Sequence, residues 1–391
     1  MNNSPFWRIA LAILRIARFI SFSLLDWMAS KIGSFRSLTS TGGVVLIRVD
    51  AIGDFVLWLH SAYLLCDHYS DKLITLVCNQ AVKDIPSLLQ IFVKVIPVDL
   101  AKFSRNPIYR FKKIREIAAL GASIAIQTTF SRDYLIGDSL LRATRAEKKI
   151  GSVGDYSNIR PWQKCLSDRW YTQLVPASKD QMMELERNAE FLQGLGIKAE
   201  PTVANLPSLG NNIVHLKPKE DYFIIFPGAA SCKRMWPVDR FAEFVRSIVK
   251  ETGWALVLCG TKSEFEISES IIKLSGIKAI NLAGKTSLPE FSEIIRGAKL
   301  LIGNETSAVH IAATVNTPSV CILGGGHFGR FMPYSKAVDG VKPIAVYARM
   351  NCFGCNWKCV RKHDPNECVP CVAAVSIENV RSAAKKLIKG L

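Results

Sequence analysis

Three short segments carry residue types able to act on a phosphorylated ligand. The first, Asp50-Ala51-Ile52-Gly53-Asp54, offers a glycine for a tight turn and a carboxylate, Asp54, where a helical stretch begins. Such a carboxylate can cap the helix by accepting a backbone N–H, or can act as a general base on an attacking hydroxyl. Spacing alone leaves both uses open. The second, Phe226-Pro227-Gly228-Ala229-Ala230-Ser231-Cys232-Lys233-Arg234-Met235-Trp236-Pro237, runs small residues into two cations and then a helix start at Pro237. Small residues let backbone donors approach an anion, and Lys233 and Arg234 supply charge, so the segment reads as a diphosphate site or, more plainly, as a solvated basic turn. The third is Gly303-Asn304-Glu305-Thr306-Ser307-Ala308-Val309-His310. Here Thr306 and Ser307 can donate hydroxyls beside free helix N-terminal amides, and Glu305 can hold sugar hydroxyls. His310, one helical turn further in, is expected to be structural.

Two further clusters have weaker claims. Cys352-x-x-Cys355 and Cys368-x-x-Cys371, with Cys359 between them, have the paired-knuckle spacing of structural zinc, without a catalytic part. Iron–sulfur ligation and a redox disulfide stay open. Gly324-Gly325-Gly326-His327-Phe328-Gly329 matches the dinucleotide fingerprint G-x-G-x-x-G, but no helical pattern opens after it and Pro333 follows. It is expected to be a flexible loop beside the site.

Each segment needs an element to hold it. The β-branched run Val44 to Val49 feeds the Asp50–Asp54 turn and a helix over 55–66, and short apolar runs at 74–78, 93–98 and 123–126 alternate with helical patterns such as 109–119. That is an open α/β sheet. A stretch rich in Pro and Asn (Pro201, Pro207, Gly210, Asn211, Asn212, Pro218) marks a linker, after which the pattern restarts. Strands at 222–226, 255–259, 300–302 and 319–323 alternate with helices at 238–250, 263–274 and 306–313, and a last helix spans 377–388. In such sheets ligands settle at the carboxyl ends of the strands, so the site is expected in a cleft between two domains.

Residues 5 to 29 are strongly apolar, yet Arg15 and Arg18 fall where the middle of a bilayer span would lie. A basic helix lying in the headgroup layer is the expectation, with Arg8, Arg15 and Arg18 at helical spacing among Phe6, Ile9, Ile13, Leu14, Ile20 and Leu24. Its rivals are a cleaved signal peptide, for which no small-residue cleavage site follows, and a helix packed on its own domain.

The chain has 391 residues, 49% of them apolar, which points to two packed domains. Its 50 Lys and Arg against 33 Asp and Glu leave a charge of +17, which calls for an anionic partner: nucleic acid, acidic lipid or a phosphorylated substrate. No nucleic-acid motif occurs, so nucleic acid is not expected as a partner. Six of the 11 cysteines are scattered singly in a large chain, which suits a reducing compartment.

Taken together, "VVLIRVDAIGDFVLWLHS", "FPGAASCKRMWP", "NLAGKTSLPEFSEII" and "GNETSAVHIAA" resemble glycosyltransferase family 9, the heptosyltransferases of lipopolysaccharide core synthesis. The resemblance implies a GT-B fold, two Rossmann-like α/β domains facing a cleft, whose final helix crosses back to the first domain. The expected division is an amphipathic basic membrane-associating segment (1–41), an acceptor domain (42–205), a nucleotide-sugar domain (206–345), and a Cys-rich loop with the closing helix (346–391). It implies inverting transfer from ADP-heptose to a lipopolysaccharide-core or other lipid-linked acceptor, at an anionic membrane surface on the cytoplasmic face of the inner membrane. By that resemblance Asp54 is the general base, Lys233 and Arg234 meet the donor diphosphate, and Glu305, Thr306 and Ser307 form the phosphate-binding turn. Glu264 and Thr286 are implied as further donor contacts, and Arg132 as an acceptor contact. The family commonly reads Asn-Asp-Thr-Gly-Pro where this chain has Asn304-Glu305-Thr306-Ser307-Ala308, which puts the sugar in question. No Asp-x-Asp occurs, so no cofactor or metal is expected in catalysis, a structural zinc at Cys352, Cys355, Cys368 and Cys371 aside. A transferase using another nucleotide sugar, an NAD-dependent oxidoreductase and a non-catalytic sugar-binding protein are the alternatives.

Overall fold

The computed structural model describes residues 5–33, 42–210 and 216–390, with side chains of the first helix from residue 17 to 32. Arg8, Arg15, Phe6, Ile9, Ile13 and Leu14 therefore have side chains outside the described residues, as do Asn211 and Asn212 of the expected linker. The chain divides into two compact units: residues 1–51, 62–179 and 190–199 form one, and residues 52–61, 180–189 and 200–391 the other.

The first unit is built on a six-stranded parallel sheet of β1 (Val44–Arg48), β2 (Ile74–Asn79), β3 (Lys94–Val98), β4 (Ile124–Gln127), β5 (Lys148–Ser152) and β6 (Gln173–Val175), in the order β3-β2-β1-β4-β5-β6. Its helices, after α1 (Pro5–Gly33), are α2 (Ile52–His68), α3 (Ile85–Leu89), α4 (Leu100–Arg105), α5 (Pro107–Ala118), α6 (Ser139–Ala143), α7 (Pro161–Asp168) and α8 (Glu184–Gln193), of which the first ten residues of α2 and residues 184–189 of α8 cluster with the second unit. β1 is buried along its whole length, as a parallel strand covered on both faces must be. Ile47, Val77, Ile96, Phe103 and Ile114 form the middle of the core.

In the second unit β7 (Tyr222–Phe226), β8 (Ala255–Leu258), β9 (Ala279–Asn281), β10 (Leu300–Asn304), β11 (Ser319–Ile322) and β12 (Ile344–Val346) are again all parallel, ordered β12-β11-β10-β7-β8-β9. Counted from its own first strand, this is the order of the first sheet repeated: 3-2-1-4-5-6, the doubly wound dinucleotide-binding topology. Two Rossmann-like α/β domains are thus present. α9 (Val238–Thr252), α10 (Phe265–Ser275), α11 (Leu288–Gly297), α12 (Ser307–Thr314), α13 (Pro370–Ala373) and α14 (Ile377–Ile388) complete the unit. α9 stops where Gly253 takes a left-handed φ of 69°, a backbone turn that a residue with a Cβ resists.

Three expectations are revised. α14 buries Val380, Ala383 and Ala384 in the core of the second unit and packs on α9, β10, β11 and β12, so it clusters with that unit. The Pro-rich stretch is tied to the second unit up to residue 209: Thr202 bridges to Asp339, the N–H of Leu206 reaches the Thr314 carbonyl at 3.0 Å, and Ser208 Oγ donates to Glu293 at 3.0 Å. The latter half of α1 packs on α5 and α6: Ala29 enters the first core and Asp26 pairs with the buried Arg110 at 2.5–2.6 Å. Its opposite face leaves Ile20, Leu24, Trp27, Met28 and Ile32 exposed. Among the described residues no helix is long and apolar enough to cross a membrane.

Candidate functional site

In a doubly wound sheet the strand order reverses once, and the loops leaving the two strands at that point diverge and open a crevice for ligands. In the second sheet the reversal lies between β7 and β10. The loop after β7 carries Lys233 and Arg234, and the loop after β10 carries Glu305, Thr306 and Ser307. The two basic residues lie in a single 3-10 turn, Cys232–Arg234.

One buried side chain fixes the two loops to each other. Asn304, fully buried at the end of β10, donates Nδ2 to the carbonyls of Pro227 (2.6 Å) and Gly228 (3.2 Å) and accepts from the Trp236 N–H through Oδ1 (3.0 Å). Asn304 stands in the third motif without a predicted role; its polarity at the end of an apolar strand is the signal that marks it. Arg234 then reaches Glu305, with Nη2 3.4 Å from both Oε2 and the backbone carbonyl. Burial pushes the Glu305 carboxyl up to about 7, opposed by the adjacent guanidinium. Thr306 is the N-cap of α12 in extended conformation, and its buried Oγ1 has no partner. With Ser307 as the first residue of α12, a buried hydroxyl without a partner stands at a helix N-terminus, the kind of place where anions bind.

The start of α2 joins this group. A Cβ on Gly53 would lie 3.3 Å from His310 Cδ2 and 3.7 Å from Ser307 Cα, so the glycine permits the close approach of residue 53 to α12. Asp54 follows as the third residue of α2, half-buried; the N-cap is Ala51 and has no side-chain cap bond. The N-cap position itself is thus held by Ala51 and not by Asp54. Asp50, the other acid of the motif, is engaged by Arg48 Nε at 2.8 Å and Thr129 Oγ1 at 3.0 Å. His310 is buried, shares a 2.9 Å hydrogen bond with Tyr334 and is pushed down to about 4 by burial, which fits the structural role expected of it.

Glu264 follows β8 and Thr286 follows β9. The Glu264 carboxylate accepts from the Thr261 N–H at 2.6 Å and lies where a Cβ on Gly228 or Gly260 would be, so it lines the loop that leads to Lys233. Thr286 is half-buried, just before the N-cap Ser287. Arg132 is separate: in the first unit, 1% exposed, it pairs with Asp168 and stacks 4.6 Å over Tyr171. Asp168 and Tyr171 thus hold the guanidinium within the first unit, and an acceptor contact at Arg132 rests on the family resemblance alone.

The glycine run is also revised. Gly324, Gly325 and Gly326 are buried, and a Cβ on each would enter the ring of Trp357, Phe353 and Trp357 respectively, at 2.6, 2.2 and 2.3 Å. The run is a seat for the Cys-rich loop, with no helix after it. In that loop Cys352, Cys355, Cys359 and Cys371 line one cavity, and the Gly325 N–H points at Cys371 Sγ (3.4 Å); Cys368 is not on the lining. Among the described residues no His, Cys, Asp or Glu group is arranged as a finished metal shell.

Comparison with known proteins identifies the family. The family model "Glycosyltransferase family 9 (heptosyltransferase)" matches residues 141–356. Lipopolysaccharide heptosyltransferase 3 of Escherichia coli (strain K12) is 26% identical over 259 residues, 64% of this chain and 70% of that one. Among solved structures, a family 9 glycosyl transferase from Veillonella parvula superposes with a TM-score of 0.68 at 19% identity, covering 89% of this chain and 98% of its own. The E. coli ADP-heptose lps heptosyltransferase II does so with a TM-score of 0.65 at 14% identity, covering 89% and 99%. With the family model spanning more than half its length and both sheets wound alike, the chain belongs to glycosyltransferase family 9 and is a glycosyltransferase.

Proposed function

We propose that this glycosyltransferase moves a heptose from ADP-heptose to a lipopolysaccharide-core acceptor, with inversion at the anomeric carbon and without a catalytic metal. The names of the relatives support the donor and the acceptor class. Asp54 takes the proton of the acceptor hydroxyl, the oxygen attacks the anomeric carbon, and the bond to the diphosphate breaks. Lys233, Arg234 and the amides opening α12 meet the charge left on the diphosphate. Glu264 and Thr286 we assign to the donor's sugar and base, as the family resemblance implies. The observation that carries the reading is the convergence of Arg234, Glu305 and Thr306 at the reversal point of the second sheet, with the helix start that holds Asp54 packed against Ser307.

The experiment is transfer from ADP-heptose to a deacylated core oligosaccharide by the wild type and Asp54→Asn. Loss of a general base costs about 10²- to 10⁴-fold in kcat while leaving ADP affinity unchanged. Near-normal turnover of Asp54→Asn would remove the base from the scheme.

We also propose a peripheral seat on the cytoplasmic face of the inner membrane through α1, whose exposed apolar stripe and Lys31 suit an anionic interface. For a structural zinc, the cavity favours Cys352, Cys355, Cys359 and Cys371 as the four thiolates, with Cys359 in place of the Cys368 expected from spacing.

A further inference from the structure

Arg234 has less to hold it than its place demands. Its contacts to Glu305 are long, 3.4 Å to the carboxylate and to the carbonyl, and its buried Nε has no partner. Because burial drives the Glu305 carboxyl up to about 7, near neutral pH much of that partner is uncharged. What does face the guanidinium is a ring: its Cζ lies 4.4 Å from the centroid of Trp357.

Trp357 is itself held in place at a cost. Asn356 and Trp357 both adopt left-handed backbone, φ 49° and 58°, which residues with a Cβ avoid unless their surroundings impose it. The surroundings are visible. The Asn356 N–H donates to the Gly326 carbonyl at 2.9 Å, the Gly354 N–H to the Gly325 carbonyl at 2.8 Å, and Trp357 Nε1 to His327 Nδ1 at 3.2 Å. The indole fills the space that Cβ atoms on Gly324 and Gly326 would need. From its far side the same loop holds the basic turn, since the Val369 N–H donates to the Lys233 carbonyl at 2.9 Å. Such a set of constraints is spent on one outcome, the placement of the indole face under Arg234.

We propose that Trp357 is the positioning residue of the donor site, presenting the Arg234 guanidinium to the diphosphate by stacking beneath it, with Gly324-Gly325-Gly326 as the seat that admits the ring. This rests on the reading of Arg234 as a diphosphate ligand. A guanidinium held over a ring keeps N–H donors free for an anion, which an ion pair to Glu305 alone would consume.

The test measures ADP and inorganic pyrophosphate binding to the full chain by titration calorimetry. Arg234→Ala should weaken both about tenfold, the worth of one charge-assisted contact. Trp357→Leu should weaken both roughly 5- to 10-fold and Trp357→Phe less than about threefold, since the smaller ring keeps a π face. Gly326→Ala, which displaces the ring while keeping it, should behave like Trp357→Leu and serves in its place if that variant does not fold. In an Arg234→Ala background, Trp357→Leu should have no further effect, a coupling that a merely structural tryptophan would not show. Additive losses in the double variant, or full affinity in Trp357→Leu or Gly326→Ala, overturn the proposal. If Arg234→Ala binds both ligands normally, the diphosphate reading itself falls, and that result is told apart by the single variant alone.

Discussion

Burial pushes the Glu305 carboxyl up to about 7 although the Arg234 guanidinium beside it pulls the other way, so in the folded chain this group keeps a proton that the unfolded chain gives up near the ordinary value of 4.5. A group held above its unfolded value stabilises fully below that value, and the contribution is lost as pH rises through the folded one. Between pH 5 and pH 8 the wild type should therefore lose roughly 2–3 kcal/mol of stability relative to Glu305→Gln, read from urea midpoints at the two pH values. His310, pushed down to about 4, has the opposite sign and destabilises as pH falls below 6.5, but it is common to both proteins and cancels in the comparison. Parallel pH profiles for the two would show that Glu305 is not the buried acid described. None of this was legible in the sequence, because residue types at 233, 234 and 305 announce a charged turn without saying which partner is dehydrated. Arg132 makes the same point, as a buried cation whose partner Asp168 the sequence does not announce.

Strand-to-helix turns were readable because the strands leading to them are apolar and β-branched: β1, β7 and β10 are buried along their whole lengths and stand out against polar surroundings. β5, which opens on Lys148 and Lys149, and the three-residue β6, β9 and β12 give no such contrast and are not among the expected strands. The Cys-rich loop shows a different limit. Pairwise spacing singles out Cys352, Cys355, Cys368 and Cys371, whereas the fold of the loop turns Cys359 to the cavity lined by the first two and Cys371. Spacing reports chain distance, and a loop with left-handed residues at Gly354, Asn356 and Trp357 folds back on itself between the pairs. If zinc is bound, protein purified under reducing conditions should contain about one equivalent by elemental analysis, Cys359→Ser should lose it, and Cys368→Ser should keep it. Retention by Cys359→Ser together with loss in Cys368→Ser would restore the spacing-based set.

On the scale of the whole chain, two sheets of identical winding are a frame that many chemistries share, and the excess of cations is the feature that asks for a particular setting. α1 combines both aspects of that setting. Its inner face is committed to the first unit through Ala29 and the buried pair of Asp26 with Arg110, so the outer face cannot be satisfied by rolling the helix over. Leu24 and Trp27 remain 59% and 51% exposed, one helical turn apart, and Trp162, 44% exposed, packs edge-on against Phe19 of the same helix at 4.7 Å. A scattered apolar residue on a surface needs no partner, but a stripe along one helix does. A bilayer interface with acidic headgroups would cover these residues while letting the long Lys31 side chain reach the headgroups. Cosedimentation with vesicles should then show binding to phosphatidylglycerol-containing bilayers that weakens with salt. Replacing Leu24 and Trp27 together by Ser should reduce it about tenfold or more, given 1 kcal/mol or so for each partly buried side chain. Core oligosaccharide lacking lipid should be glycosylated by this variant at the wild-type rate, because neither residue belongs to the donor site. Undiminished vesicle binding in the double variant, at low salt and at high, would leave α1 as a helix that simply packs on its own unit.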